Sequence, residues 1–144
     1  MKYEEFIGKV RSRASLATPE QAVLAVRATL ETLAERLEGH EVEHLAAQLP
    51  SELGLYLQLT NEERGESFSL DEFFYRVSRR EGVNFVDADY HARVVLALIA
   101  ETVSMGEIED MRSQLPPEFA RLFDVQNEGE IPEIGEVVET GDEL

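Results

Sequence analysis

The chain has 144 residues, 43% of them hydrophobic, enough to bury a core in one compact domain without staples. It has no cysteine, which removes disulfides, thiolate metal sites and cysteine nucleophiles. Its formal net charge of −17 disfavours binding along a phosphate backbone, where Lys and Arg supply affinity by releasing counterions, so nucleic acid is not an expected partner.

Acids at Glu4 and Glu5 break the opening residues where a signal peptide needs an apolar run. No later stretch approaches the roughly 18 apolar residues of a membrane span, so a soluble, cytoplasmic protein is expected. Tyr3, Phe6, Ile7, Val10 and Ala14 follow the three-and-four spacing of one helical face. Thr18-Pro19-Glu20-Gln21 then gives a capping hydroxyl, a proline at the first helical position and a glutamine at the third. The long second helix that starts there carries Val23, Val26, Leu30, Leu33 and Leu37, and Gly39 is the expected left-handed stop. A short third helix over about Glu41–Gln48 ends at Pro50, which lacks an amide and opens a fourth helix with Leu53, Tyr56 and Leu57.

Thr60 to Glu66 reads as a linker, after which the pattern restarts. Ser69-Leu70-Asp71-Glu72 is a capping box, with Phe68 and Phe73 placed as a hydrophobic staple. Asp87 is the expected cap of a sixth helix bearing Ala92, Val95, Leu96, Ile99 and Val103, and Gly106 its expected end. Short helices over Glu107–Ser113 and Pro117–Phe123 complete the pattern. Residues 125–144 carry seven acids and no base and read as a disordered tail, or as an extended segment docking through Ile131, Ile134, Val137 and Val138.

The restart is an internal repeat. A shift of sixty-six pairs Arg27 with Arg93, Leu30 with Leu96, Glu35 with Glu101, Glu41 with Glu107 and Gln48 with Gln114. Upstream the shift is sixty-seven, pairing Phe6 with Phe73, Val10 with Val77 and Arg13 with Arg80, so one residue is gained between Glu81 and Asp87. The expected fold is all-α: two tandem four-helix repeats of about 60 residues, residues 1–60 and 67–124, packed as one helical domain over residues 1–124.

His40-Glu41-Val42-Glu43-His44 has the spacing of a zinc peptidase helix, in which two histidines one turn apart hold the metal and a glutamate activates water. The other copy weighs against it, because the equivalent run Gly106-Glu107-Ile108-Glu109-Asp110 keeps two acids and an apolar residue and loses both histidines. What both copies keep is a helix start with acids near its positive end. Ser69-Leu70-Asp71-Glu72 has some likeness to a carrier-protein attachment serine, but Phe68 stands where an aspartate is needed, and Ser69 has a cap to make. His91 reads as a partly exposed helical histidine, and Gln48 and Gln114 as partners for backbone groups at the proline corners. Arg27 and Arg93 are charges kept in both copies. Arg27 is expected to pair with Glu31 one turn on, and two related arginines gripping an acidic ligand are the functional alternative. No Ser-His-Asp set, glycine-rich phosphate loop or cofactor motif is present in the sequence.

The doubled Phe-x-x-x-Val helix (Phe6 to Val10, Phe73 to Val77), the long Ala and Leu helix ending in Arg36-Leu37, and the corners Ala47-Gln48-Leu49-Pro50 and Ser113-Gln114-Leu115-Pro116 resemble the bacterial domain of unknown function 2267 family. The resemblance covers residues 1 to about 124 and implies an all-helical protein. It brings no activity and no catalytic residue.

A non-catalytic interaction or regulatory module with a protein partner, presenting acidic helix faces and an apolar groove between the copies, is therefore the expected function. A small-ligand or cation-binding protein is the second reading, and a zinc hydrolase through His40 and His44 the third.

Overall fold

In the computed structural model of the chain, which describes residues 1–58 and 65–123, every described element is helical. The order is α1 (Tyr3–Arg13), α2 (Pro19–Arg36), α3 (Gly39–Ala47), α4 (Ser51–Gln58), α5 (Leu70–Glu81), α6 (Phe85–Thr102), α7 (Met105–Ser113) and a 3-10 helix at Pro117–Phe123. The expected linker is described only from Gly65 onward, and the acidic tail of residues 125–144 lies outside the described residues.

The starts of α2, α5, α6 and α7 follow side chains that satisfy their orphan amides, whereas α1 and α3 begin without a side-chain cap. Thr18 Oγ1 accepts from Gln21 N at 3.1 Å, and Gln21 reaches back to Ala17 N at 2.9 Å. Ser69 Oγ accepts from Glu72 N at 3.1 Å. α6 departs from expectation: Asn84 caps it, its Oδ1 accepting from Asp87 N at 2.8 Å, while Asp87 sits inside the first turn against the helix dipole.

The helix ends differ more. Gly39 and Gly106 do not close α2 and α6; they belong to the helices that follow. α2 stops because Leu37 turns extended (φ −88°, ψ 152°), and α6 because Val103 does the same (φ −101°, ψ 172°). Both side chains are buried, so the break sends an apolar group into the core where another helical turn would carry it away. Leu37 O and Glu35 O, left without helical donors, receive Gly65 N and Glu66 N at 2.9 Å each. A left-handed glycine does close α5, at Gly82 (φ 80°). The last element also differs from α4: where the first half has Ser51 the second has Pro117, and the turn tightens to a 3-10 helix with Phe119 N bonded to Pro116 O.

α2 packs on α1, α4, α5 and α6, and α6 on α1, α2, α5 and the 3-10 helix. One hydrophobic cluster draws on both halves, with Leu30 and Leu96 fully buried within it. Phe73 anchors its second half, edge-on to Phe74 at 5.9 Å and to Phe119 at 6.0 Å. The second apolar stripe on the long helices is covered at Ala28, Val94 and Leu98 and left open at Leu24.

Candidate functional site

Leu24 opens onto a crevice of about 400 Å³ formed where α1 and α5 end and α2 and α6 begin. Ser15 and Leu16 line it from the α1–α2 turn, and Val83 from the α5–α6 turn. Ser15 adopts a left-handed backbone (φ 56°) at the position where α5 has Gly82. Gln21 and Leu24 face it from α2, Asp87 and Tyr90 from α6. The Tyr90 hydroxyl donates to Arg13 O at 2.9 Å, tying the α6 wall to the end of α1.

The lining also includes Glu81 and His91, both buried. His91 Nδ1 lies 2.5 Å from Glu81 Oε2, while Glu81 Oε1 is buried without a hydrogen-bond partner among the described residues. The partly exposed histidine expected from the sequence is thus a buried one held by a carboxylate. A signal for the pair was present in the repeat frame. Glu81 aligns with Ala14 and His91 with Ala25, so the second half places two polar groups where the first places two alanines, and both alanines are buried.

A second polar cluster joins α3 to α7. Gln48 Nε2 donates to Glu107 Oε1 and Gln114 Nε2 donates to Glu41 Oε1, each at 3.3 Å. Their carbonyl ends accept backbone amides from the opposite half, Ser104 N to Gln48 at 2.9 Å and Glu38 N to Gln114 at 3.3 Å. Both glutamines bond backbone groups, as expected, but the groups are amides of the opposite half and not carbonyls at their own corners. Glu41 and Glu107 are each only 4% exposed where α3 packs on α7, and the Oε2 atom of each is buried without a hydrogen-bond partner among the described residues. Burial, the neighbouring Glu107 and the nearby charges of Asp110 and Glu38 push the Glu41 carboxyl up to about 8.

This geometry also shows what the zinc-like run does. His40 and His44 are exposed, with ring centres 4.2 Å apart, while Glu41, which a peptidase would aim at the metal, is turned into the contact with Glu107. Glu43 is exposed. Among the described residues, no three His, Asp or Glu side chains are grouped to hold a metal ion. Arg27 pairs with Glu31 at 2.8 Å, as its spacing predicts; Arg93 pairs backwards with Asp89 at 2.8 Å, which answers the loss of a forward partner at Ala97. No described helix is long and apolar enough to cross a membrane.

Residues 3–122 match the model of a known sequence family, described as uncharacterized conserved protein (DUF2267). The chain belongs to the DUF2267 family. No curated protein matches it. In this DUF2267 chain the match ends at residue 122, so it spans the crevice and the α3–α7 cluster and leaves out the acidic tail.

Proposed function

We propose that this DUF2267 chain is a non-catalytic interaction module, and that it binds a protein partner through the crevice at the ends of α1 and α5. On this reading the body is two four-helix repeats sharing one core, working in the cytoplasm. The observation that carries it is the Glu81–His91 pair. The fold closes the corresponding place in the first half with Ala14 and Ala25, so it does not need a buried ion-forming pair there. Such a pair is weak support for stability, because desolvation consumes most of its attraction. Its position at a crevice rimmed by Leu24 and Tyr90, 48% and 42% exposed, favours recognition.

The chemistry of the occupant follows from the lining. Glu81 Oε1 lacks a donor among the described residues, Asp87 adds a carboxylate at the rim, and the chain is acidic overall. A lysine or arginine side chain flanked by apolar residues meets all three demands. Arrays of short peptides with a central basic residue between apolar ones test this on the full chain, beside the Glu81→Ala/His91→Ala variant. Retention by the native chain and loss in the variant is expected. Equal retention of acidic and basic peptides, or unchanged binding by the variant, overturns the reading.

A small-molecule ligand is the second reading, favoured by the crevice volume alone. A non-peptide compound copurifying with the native chain and absent from the variant selects it. The hydrolase reading would need Glu41 free beside His40 and His44, and Gln114 and Glu107 both engage it.

A further inference from the structure

Glu41 and Glu107 present a chemical problem that the folded chain has to solve. Two carboxyl groups lie at the α3–α7 junction, nearly removed from water, and each is held by a glutamine of the opposite half, not by an arginine or lysine, among the described residues. Two ionised carboxylates in contact repel strongly at low dielectric, whereas one proton between them converts the repulsion into an O–H···O bond. The donor inventory points the same way. Gln48 and Gln114 each supply one N–H to one carboxyl oxygen, and both of those oxygens are the Oε1 atoms. Glu41 Oε2 and Glu107 Oε2 remain, buried and without any other donor among the described residues. A single hydrogen shared by the two groups satisfies both.

We infer that Glu41 and Glu107 form a binding site for one proton, and that its occupancy controls how firmly α3 is held to α7. The groups facing the site favour the proton over a deprotonated pair. Glu38, just before α3, and Asp110, on α7, add negative charge. α4, packed on α3, buries only Leu53, Gly54 and Leu57. The glutamines hold the carboxyls in place whether or not the proton is there, because their own carbonyls are fixed by Ser104 N and Glu38 N. Loss of the proton therefore loads the junction with like charge that cannot rotate away, and the contact between the two halves loosens. This inference is independent of the crevice.

The sign of the effect follows from linkage. A carboxyl whose folded pKa is raised contributes stability that is fully present below its unfolded value and is lost as pH rises through the folded value, here between roughly 4.5 and about 8. One proton changes the folding constant by at most about tenfold per pH unit in that window. The test measures urea unfolding of the full chain from pH 4.5 to 9 for the native protein, Glu41→Gln and Glu107→Gln. A glutamine at either position supplies a permanent N–H to the remaining carboxylate, so the native chain is expected to lose stability across the window and both variants to lose that component of the slope. Carboxyl carbon NMR of the native chain provides a reading that needs no variant. The Glu41 carboxyl should titrate well above the usual carboxylate range. All glutamates titrating in the ordinary range, or a pH slope that survives in both variants, overturns the inference.

Discussion

Arg13 grips Glu101 with both terminal guanidinium nitrogens, at 2.7 and 2.9 Å, across eighty-eight positions of sequence. The same contact is made the other way round. Arg80 holds Glu35 with its NH2 group at 2.5 Å and its NH1 group at 3.1 Å. Each arginine belongs to one half of the chain and each glutamate to the other. This exchange of partners resembles what a two-fold axis imposes between subunits, although both members here lie on one chain.

The two pairs differ in exposure, and that should decide their worth. Arg13 and Glu101 are 39% and 52% exposed, so Glu101→Gln should cost no more than about 1 kcal/mol. Glu35 is 10% exposed and also receives Arg76 at 3.0 Å, so Glu35→Gln should cost about 3 kcal/mol by leaving two cations short of a partner. Burial opposes ionisation of Glu35, but Arg80 and Arg76 outweigh it and hold its carboxyl below the usual range. Its contribution is therefore complete above the unfolded value and is lost as pH falls through the lower folded one. Urea unfolding of the two variants at neutral pH and below pH 4 checks both statements.

Leu30→Ala should destabilise the chain by roughly 2 to 5 kcal/mol, because it opens a cavity in a fully buried site. Since Leu30 and Leu96 lie in the same cluster, calorimetry should show one transition moved as a whole. Two transitions with only one displaced would show that the halves unfold separately.

At the crevice, His91→Ala alone should cost about 3 kcal/mol, since it leaves the Glu81 carboxylate buried without its partner. The double change Glu81→Ala/His91→Ala restores the side chains of the first half and should cost clearly less. A double-mutant cycle by chemical denaturation measures the difference.

Replacing His40 and His44 together by alanine should change stability by less than about 0.5 kcal/mol, because both rings are exposed. A larger loss on thermal unfolding would mean that the rings support α3 in some other way.

The all-helical fold was legible because the apolar spacing holds along the chain and agrees with the capping residues at the starts of α2 and α5, where Thr18 and Ser69 cap as their side chains predict. Asp87 misled as a cap because it is an acid in the right neighbourhood, although a shift of sixty-six from Thr18 lands on Asn84. Gly39 and Gly106 misled for another reason: a helix can also end when one buried side chain pulls the backbone extended, as Leu37 and Val103 do, and no local residue type announces it. The carboxyl contact was half visible. Glu41 and Glu107 stood out as shared acids, but their meeting depends on how α3 and α7 pack, which helical periodicity does not encode. His91 and Glu81 looked ordinary singly, and only their joint departure from Ala25 and Ala14 marks them.

The reciprocity of the contacts bears on how such a chain could have arisen. Arg13, Glu35, Glu41 and Gln48 all lie within residues 1–58, and the partners they use sit at equivalent positions of the second half. A peptide of that first half carries both sides of every one of these contacts. Two such peptides placed face to face would pair Arg13 of one with Glu35 of the other, and Gln48 of one with Glu41 of the other. Their mating surfaces would also keep the compact Ala14 and Ala25, free of the bulk of Glu81 and His91. In these contacts the chain behaves as two like halves facing each other, and because each half has its own stretch of sequence, one crevice wall carries Glu81 and His91 where the other carries Ala14 and Ala25.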